Sequence, residues 1–252
     1  MTEEIYKTEL IAPDTYRIEE AGAVNCYLLV GKKKALLIDT GLGVGCLKEE
    51  AEKLTDLPIE AVLTHAHCDH AGGIGWFDHY YVHRSDTAPV YHLLSSRLAA
   101  SVLLPRGTKL PHQPQKPKAI PIDSSFSFDL GERTVRVKNV PGHTNGSIVL
   151  LDQKEKQMFT GDDINESLWM QLPGCTTLRQ WLSGGRTLLS FAGEYTAWCG
   201  HGPGRQSEEQ MRTTYEMVEK LSEGKNAFFP HTGYYPDRES KPQIVFNEAR
   251  RH

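Results

Sequence analysis

Within six consecutive residues, His65-Ala66-His67-Cys68-Asp69-His70, the chain carries four side chains that can ligate a metal ion. Such a cluster needs a rigid support that delivers it to one point, and the residues before it read as that support. Val44 to Leu57 has helical periodicity, with Leu47, Ala51, Leu54 and Leu57 on one stripe, and Pro58 stops it. Ile59 to Leu63 then reads as a strand that ends directly on Thr64 and the cluster. Strand, helix, strand and polar residues at the strand's C-terminal edge is how α/β sheets place their sites. On an extended loop the imidazoles at i and i+2 converge on one metal. The carboxylate at i+4 and the imidazole at i+5 then point to a second. Gly72-Gly73, just after, lets a following helix begin close to the metals.

Thr15 to Ile18, Cys26 to Val30 and Ala35 to Ile38 read as sheet. The last two form a hairpin across Gly31-Lys32-Lys33 that ends at Asp39-Thr40-Gly41. His79 to His83 reads as a strand, and Thr87 to Leu104 as helical but broken by Pro89. Residues 105–121 hold Pro105, Gly107, Pro111, Pro114, Pro117 and Pro121, which predicts a proline-rich insertion crossing the surface. Ser125 to Asp129, Thr134 to Val140, Ser147 to Leu151 and Gln157 to Thr160 are four further strands. Residues 165–195 turn to large apolar side chains and read as one or two short helices that cover a pocket. Tyr195 to Cys199 reads as a strand, Ser207 to Ser222 as an amphipathic helix, and Ala227 to Pro230 as a last short strand. This slow alternation excludes an all-β sandwich of short strands. At 252 residues and 39% hydrophobic, residues 1–252 are expected to form a single domain with a sizeable core.

Three later strands also end on a glycine beside a metal-capable residue: Pro141-Gly142-His143-Thr144, Gly161-Asp162-Asp163 and Gly200-His201-Gly202. Random surface histidines would not track strand ends, so this repetition is the strong signal. Asp162 and Asp163 compete for one ligand position, and His231, after Phe228-Phe229-Pro230, competes weakly with His201.

Charge and cysteine usage narrow the partners. Twenty-eight Lys and Arg against 32 Asp and Glu give a net charge of −4, which offers no polybasic footprint, so no nucleic-acid partner is expected. No apolar run reaches the length of a membrane span. The opening Met1-Thr2-Glu3-Glu4 is unlike a signal peptide, and the five scattered cysteines lack any Cys-x-x-Cys, so a cytoplasmic protein with reduced thiols is expected. A homodimer is the expected assembly.

From Asp39-Thr40-Gly41 through Gly200-His201-Gly202, the ordered motifs closely resemble the metallo-β-lactamase superfamily of binuclear metallohydrolases, in its glyoxalase II-like and lactonase-like branches. The resemblance implies an α/β (α+β) fold: a four-layer αββα sandwich of two mixed β-sheets flanked by helices. It implies two divalent metal ions per chain, Zn²⁺ foremost with Fe²⁺ or Mn²⁺ as alternatives. It gives His65, His67 and His143 to the first metal and Asp69, His70 and His201 to the second. Asp162 bridges, and Asp39 supports the site from beneath. The family's true β-lactamases carry Cys or Ser where this chain has Asp162, so antibiotic hydrolysis is not implied. The electron-transferring diiron branch has glutamate where this chain has His67, and the RNA-processing branches carry an arm or domain not seen here.

The implied chemistry is hydrolysis of a small carbonyl ester, a lactone or thioester, by a hydroxide shared between two metals. Asp162 sets the metal separation, and Asp69 orients the nucleophile or moves its proton. A phosphodiesterase and a non-catalytic metal-binding interaction protein are the alternatives. Trp169, Met170 and Trp181 are candidate walls of the substrate pocket, with packing on the sheet as the competing role. Tyr195, Tyr234 and His231 are candidate substrate contacts. Cys68 sits among the ligands as a spectator.

Overall fold

The computed structural model describes residues 5–87, 107–172, 174–224 and 232–251. Its layering follows from which way side chains point along the apolar runs. In β3 (Val24–Val30), Tyr27 and Leu29 enter one core while Cys26 and Leu28 enter another. In β4 (Ala35–Ile38), Leu36 and Ile38 alternate in the same way with Ala35 and Leu37. A strand covered on both faces can be apolar at every position, which is why these segments show no polar alternation.

Seven strands form the first sheet in chain order: β1 (Tyr6–Ala12), β2 (Thr15–Glu20), β3, β4, β5 (Ile59–Val62), β6 (His79–His83) and β7 (Lys118–Ile122). Pairing is antiparallel from β1 to β4 and parallel from β4 to β7. The second sheet has six strands, built around β8 (Ser127–Asp129), β9 (Thr134–Asn139), β10 (Ile148–Asp152) and β11 (Gln157–Gly161). Beyond β11 lie β13 (Thr196–Cys199), parallel to it, and the two-residue β14 (Arg205–Gln206). Both sheets are mixed. Between them Leu29, Ile38 and Val62 meet Val137, Leu150 and Phe159.

Helices cover the outer faces. Leu47 and Ala51 of α1 (Leu47–Glu52) and Ala71 of α2 (Cys68–Ala71) pack on the first sheet. On the second sheet lie α3 (Leu178–Leu189) and α4 (Glu208–Ser222), through Leu188 and Met211. Thr177 with Gln180 and Ser207 with Gln210 form capping boxes that fix where these two helices start. The order helix, sheet, sheet, helix is the expected αββα sandwich.

Several elements differ from the sequence reading. The helix expected from Val44 begins only at Leu47, because the buried Glu20 carboxylate accepts the backbone N–H groups of Leu42, Val44 and Gly45 and holds that loop. Within the proline-rich segment, residues 118–122 form β7, and Pro121 is tolerated because β7 is an edge strand that needs no donor on its outer side. Of the one or two short helices expected in residues 165–195, the described residues hold one, α3, and the stretch before it is not helical. Trp169 and Met170 instead belong to a strand, β12 (Ser167–Met170), in a third sheet with β15 (Thr232–Tyr235) and β16 (Gln243–Asn247). The strand expected at 227–230 and nearly all of the helix expected at 87–104 lie outside the described residues. All five cysteines are free, and no helix among the described residues is long and apolar enough to cross a membrane.

One buried ion pair ties the two large sheets together. Arg133 donates through Nε and Nη2 to Asp152 Oδ2 at 3.1 and 2.6 Å, and through Nη1 to the carbonyls of Asp14 and Val30 at 2.8 and 3.0 Å. Its side chain is 2% exposed and that of Asp152 is fully buried. Arg133→Met would strand that carboxylate, and a loss of about 3–5 kcal/mol in denaturant unfolding is expected. A loss within about 1 kcal/mol would show that the pair is dispensable.

Candidate metal centre

Five strand ends converge on one edge of the sandwich. Just past β4, Asp39 adopts a left-handed φ of 62°, which Asp tolerates better than most residues. The turn sets its buried carboxylate beneath the loop after β5. Oδ1 accepts from Thr64 N at 2.7 Å, and Oδ2 accepts from Thr64 Oγ1 and His70 Nδ1, both at 2.8 Å.

Hydrogen bonds behind the rings decide which imidazole atoms are free. The Thr64 hydroxyl donates to Asp39, so it accepts from His65 Nδ1 at 3.1 Å and leaves His65 Nε2 as a lone pair. His143 Nδ1 donates to the carbonyl of Trp169 and His201 Nδ1 to that of Ala23, both at 2.7 Å. His70 Nδ1 donates to Asp39. In all four histidines Nε2 faces inward with its tautomer fixed from behind, the arrangement that orients imidazole ligands.

The inward atoms form two groups. His65, His67 and His143 make one; Asp69, His70, Asp162 and His201 make the other, with ligand atoms within 4.8 Å of one another in each. His67 Nδ1 lies 2.7 Å from His143 Nε2. Asp162 stands between the groups: Oδ2 is 3.1 Å from His201 Nε2 and 3.6 Å from His143 Nε2, and Oδ1 is 3.3 Å from His70 Nε2. Asp69 Oδ2 is 3.3 Å from His201 Nε2. Three of these atoms, His65 Nε2, His70 Nε2 and Asp162 Oδ1, are buried without a hydrogen-bond partner. Orphaned buried lone pairs are costly unless a cation takes them, so the donor set fits two divalent ions. The neighbouring Asp163 is turned away, accepting His143 N at 2.8 Å, which leaves Asp162 as the carboxylate within reach.

Without metal the two groups hold protons differently. Burial, reinforced by neighbouring imidazoles, pushes His65 far down and His143 down to about 3. Burial alone would also lower His70 and His201, but Asp162 leads the carboxylates that push both well above the ordinary histidine value. The same pairing overcomes the burial of Asp69 and Asp162 and holds both carboxyls below the usual range.

Around these residues lies a support that the sequence reading missed. Asp86, just after β6, accepts from Ala66 N at 3.1 Å, Thr144 Oγ1 at 2.7 Å and Gly146 N at 2.9 Å. It clamps the loop carrying His65 and His67 to the loop carrying His143. Asn25 and Tyr27 hold the His201 turn by donating to the carbonyl of Cys199, Tyr27 at 2.6 Å. Trp181 is a floor rather than a pocket wall: it is fully buried, donates to the carbonyl of Asp163 at 3.0 Å, and packs so close beneath Gly142 that a Cβ there would sit 2.5 Å from its ring. Met170, at 1% exposure, is likewise core. Tyr195 packs against Phe191 at the end of β13 opposite His201, so it does not reach the centre. Trp169 and Tyr234 are exposed at 44% and 39%, and His231 lies outside the described residues.

A family model described as the metallo-beta-lactamase superfamily matches residues 20–181. The chain belongs to that superfamily. Human acyl-coenzyme A thioesterase MBLAC2 is 32% identical to this chain over 166 residues, covering 57% of this chain and 59% of the human protein. The bovine MBLAC2 protein gives 31% over the same coverage. The chain therefore spans less than two thirds of the length of these curated relatives. Among solved structures, a metallo-beta-lactamase family protein from Thermus thermophilus shares the fold with a TM-score of 0.64 at 21% identity, covering 94% of this chain and 100% of that one. TTHA1623, solved in a di-iron-bound form, is 28% identical with a TM-score of 0.60, over 78% of this chain and 96% of that one.

The geometry is testable through metal affinity. The raised values of His70 and His201 keep their protons through neutrality, so a metal entering that group must displace them, whereas His65 and His143 are already unprotonated. Between about pH 6 and pH 8, one metal affinity should rise roughly tenfold or more per pH unit and the other change little, as read by chelator competition. Equal slopes would contradict the assignment. Asp86→Ala should weaken metal binding about 10- to 100-fold with the fold retained by circular dichroism, and Asp86→Asn should lose less. Unchanged affinity in the alanine variant would remove the clamp.

Proposed function

We propose that this chain is a metal-dependent thioesterase, hydrolysing acyl thioesters of the coenzyme A type at a two-metal centre. The observation that carries the reading is Asp162 standing between two groups of metal-competent side chains, among which His65 Nε2, His70 Nε2 and Asp162 Oδ1 are buried without a hydrogen-bond partner. The thioesterase names of relatives about 30% identical move the substrate from a lactone towards a thioester.

His65, His67 and His143 would hold one ion, and Asp69, His70 and His201 the other, with Asp162 shared. Two divalent ions there supply Lewis acidity for a carbonyl oxygen and a water-derived nucleophile at neutral pH. Mixed imidazole and carboxylate donors suit zinc and iron alike. Zinc is the ion proposed, and the di-iron form of TTHA1623 makes iron the competitor.

Asp69 is the residue proposed to move the proton. Its side chain is 16% exposed, against 10% for Asp162, and the neighbouring His70 and His201 hold it ionised. Water adds to the thioester carbonyl carbon, its proton passes to Asp69, and the carbon–sulfur bond breaks. The leaving group is a thiolate whose pKa is about 8.5, so it departs with little acid assistance. A single carboxylate therefore suffices, and no covalent intermediate with the protein is needed.

Metal analysis should find two ions per chain. Thiol release from an acyl-coenzyme A, followed with a chromogenic disulfide, should vanish on chelation and return with added zinc. Asp69→Asn should lower kcat by about 10²- to 10⁴-fold. Turnover that survives complete removal of metal would overturn the proposal.

A further inference from the structure

The third sheet carries an exposed row of side chains that neither the fold nor the metal centre uses. Trp169 of β12 pairs in register with Val245 of β16, and Val245 pairs with Tyr234 of β15. Residues paired in register project from the same face, so the two aromatic side chains flank Val245. On the opposite face Leu168, Met170, Ile244 and Phe246 pack with Leu178 and Trp181. Val245 between them is 4% exposed, but the two flanking rings are open among the described residues: Trp169 and Tyr234 are two of the four exposed large hydrophobic residues there.

Two exposed cations from the segment joining β15 to β16 stand over this face. The Arg238 guanidinium lies 5.6 Å from the centroid of the Tyr234 ring. The Lys241 ammonium donates to Ser167 Oγ, and Ser167 shares the facing of Trp169 two residues away. Of the acids in that segment, Asp237 is turned onto Ser240 and its own loop's amides, and Glu239 is exposed. The row also adjoins the metal centre, since the carbonyl of Trp169 is the group that holds His143 Nδ1.

We propose that this row is the subsite for the nucleotide end of a coenzyme A thioester, an inference that rests on the thioesterase reading above. The adenine lies against Trp169 and Tyr234, and the phosphates meet Arg238 and Lys241. Flat aromatic surfaces bind any base by its π-face, and a guanidinium matches phosphate oxygens in a two-point fork. An acyl chain or an apolar protein surface would bury the rings but strip water from two cations and return nothing for it. A nucleotide satisfies both halves of the row.

Two measurements on the full, metal-loaded chain test this. The first is calorimetric binding of adenosine 3′,5′-bisphosphate, which needs no turnover. The second is the ratio of kcat/KM for an acyl-coenzyme A to that for the same acyl group on N-acetylcysteamine, which lacks the nucleotide. The natural chain should bind the bisphosphate and prefer the coenzyme A ester about tenfold or more, with the difference in KM. Tyr234→Ala and the pair Arg238→Ala with Lys241→Ala should each cut both quantities about tenfold, and Tyr234→Phe should retain them. Bisphosphate binding that depends on these residues, with no thioester hydrolysed, would sink the thioesterase reading and leave the subsite standing. Absent binding, no preference for the coenzyme A ester, or binding indifferent to both Tyr234→Ala and the paired alanine substitutions would overturn the subsite whatever the enzyme hydrolyses.

Discussion

The Asp39 carboxylate is the constraint from which the candidate metal centre is built. It leaves β4 in a left-handed turn and uses its two oxygens on three donors: an amide, a hydroxyl and an imidazole. Through the Thr64 hydroxyl it fixes His65, and directly it fixes His70, so one buried charge sets a histidine in each group of ligands. Carbonyls do the same for His143 and His201. Ligand geometry is thus decided behind the ligands, by groups anchored in strands, which is how a site assembled from distant loops reaches working precision.

Those anchors hold because the strands beneath them cannot shift. β3 and β4 are buried on both faces, and a one-residue slip would exchange two packed cores at once. Arg133 adds a polar lock between the sheets, reaching β10 through Asp152 and the β2–β3 region through the carbonyls of Asp14 and Val30. Stability of the sandwich and placement of the centre therefore share the same residues, with Trp181 extending the core to the underside of Gly142.

The parts of this architecture that are legible in the sequence are those where chemistry and position coincide. Histidines beside glycines at strand ends stand out because histidine is an uncommon residue and the placement repeats. Asp86 does not stand out: it is one of 32 acidic residues, and its role exists only once folding brings Ala66, Thr144 and Gly146 around it. β12 escapes a local reading for a related reason. Four residues with three large apolar side chains fit a helix or a strand equally well, and the deciding partner, β16, lies far along the chain. The late start of α1 comes from Glu20, a side chain in another strand, which no local pattern could reveal. Trp181 and Met170 carry the composition of a pocket wall and serve as core, because burial is a property of the assembled layers.

Asp162 has a thermodynamic consequence of its own. A carboxylate poised between two ligand groups cannot respond to one without being re-posed for the other. If both groups hold ions as proposed, an ion in the His65 group would alter the affinity of the His70 group, and by reciprocity the reverse would hold to the same degree. On the two-ion reading proposed above, a half-filled molecule would be a distinct chemical species, with its own ligand field and proton inventory, rather than a midpoint between empty and full.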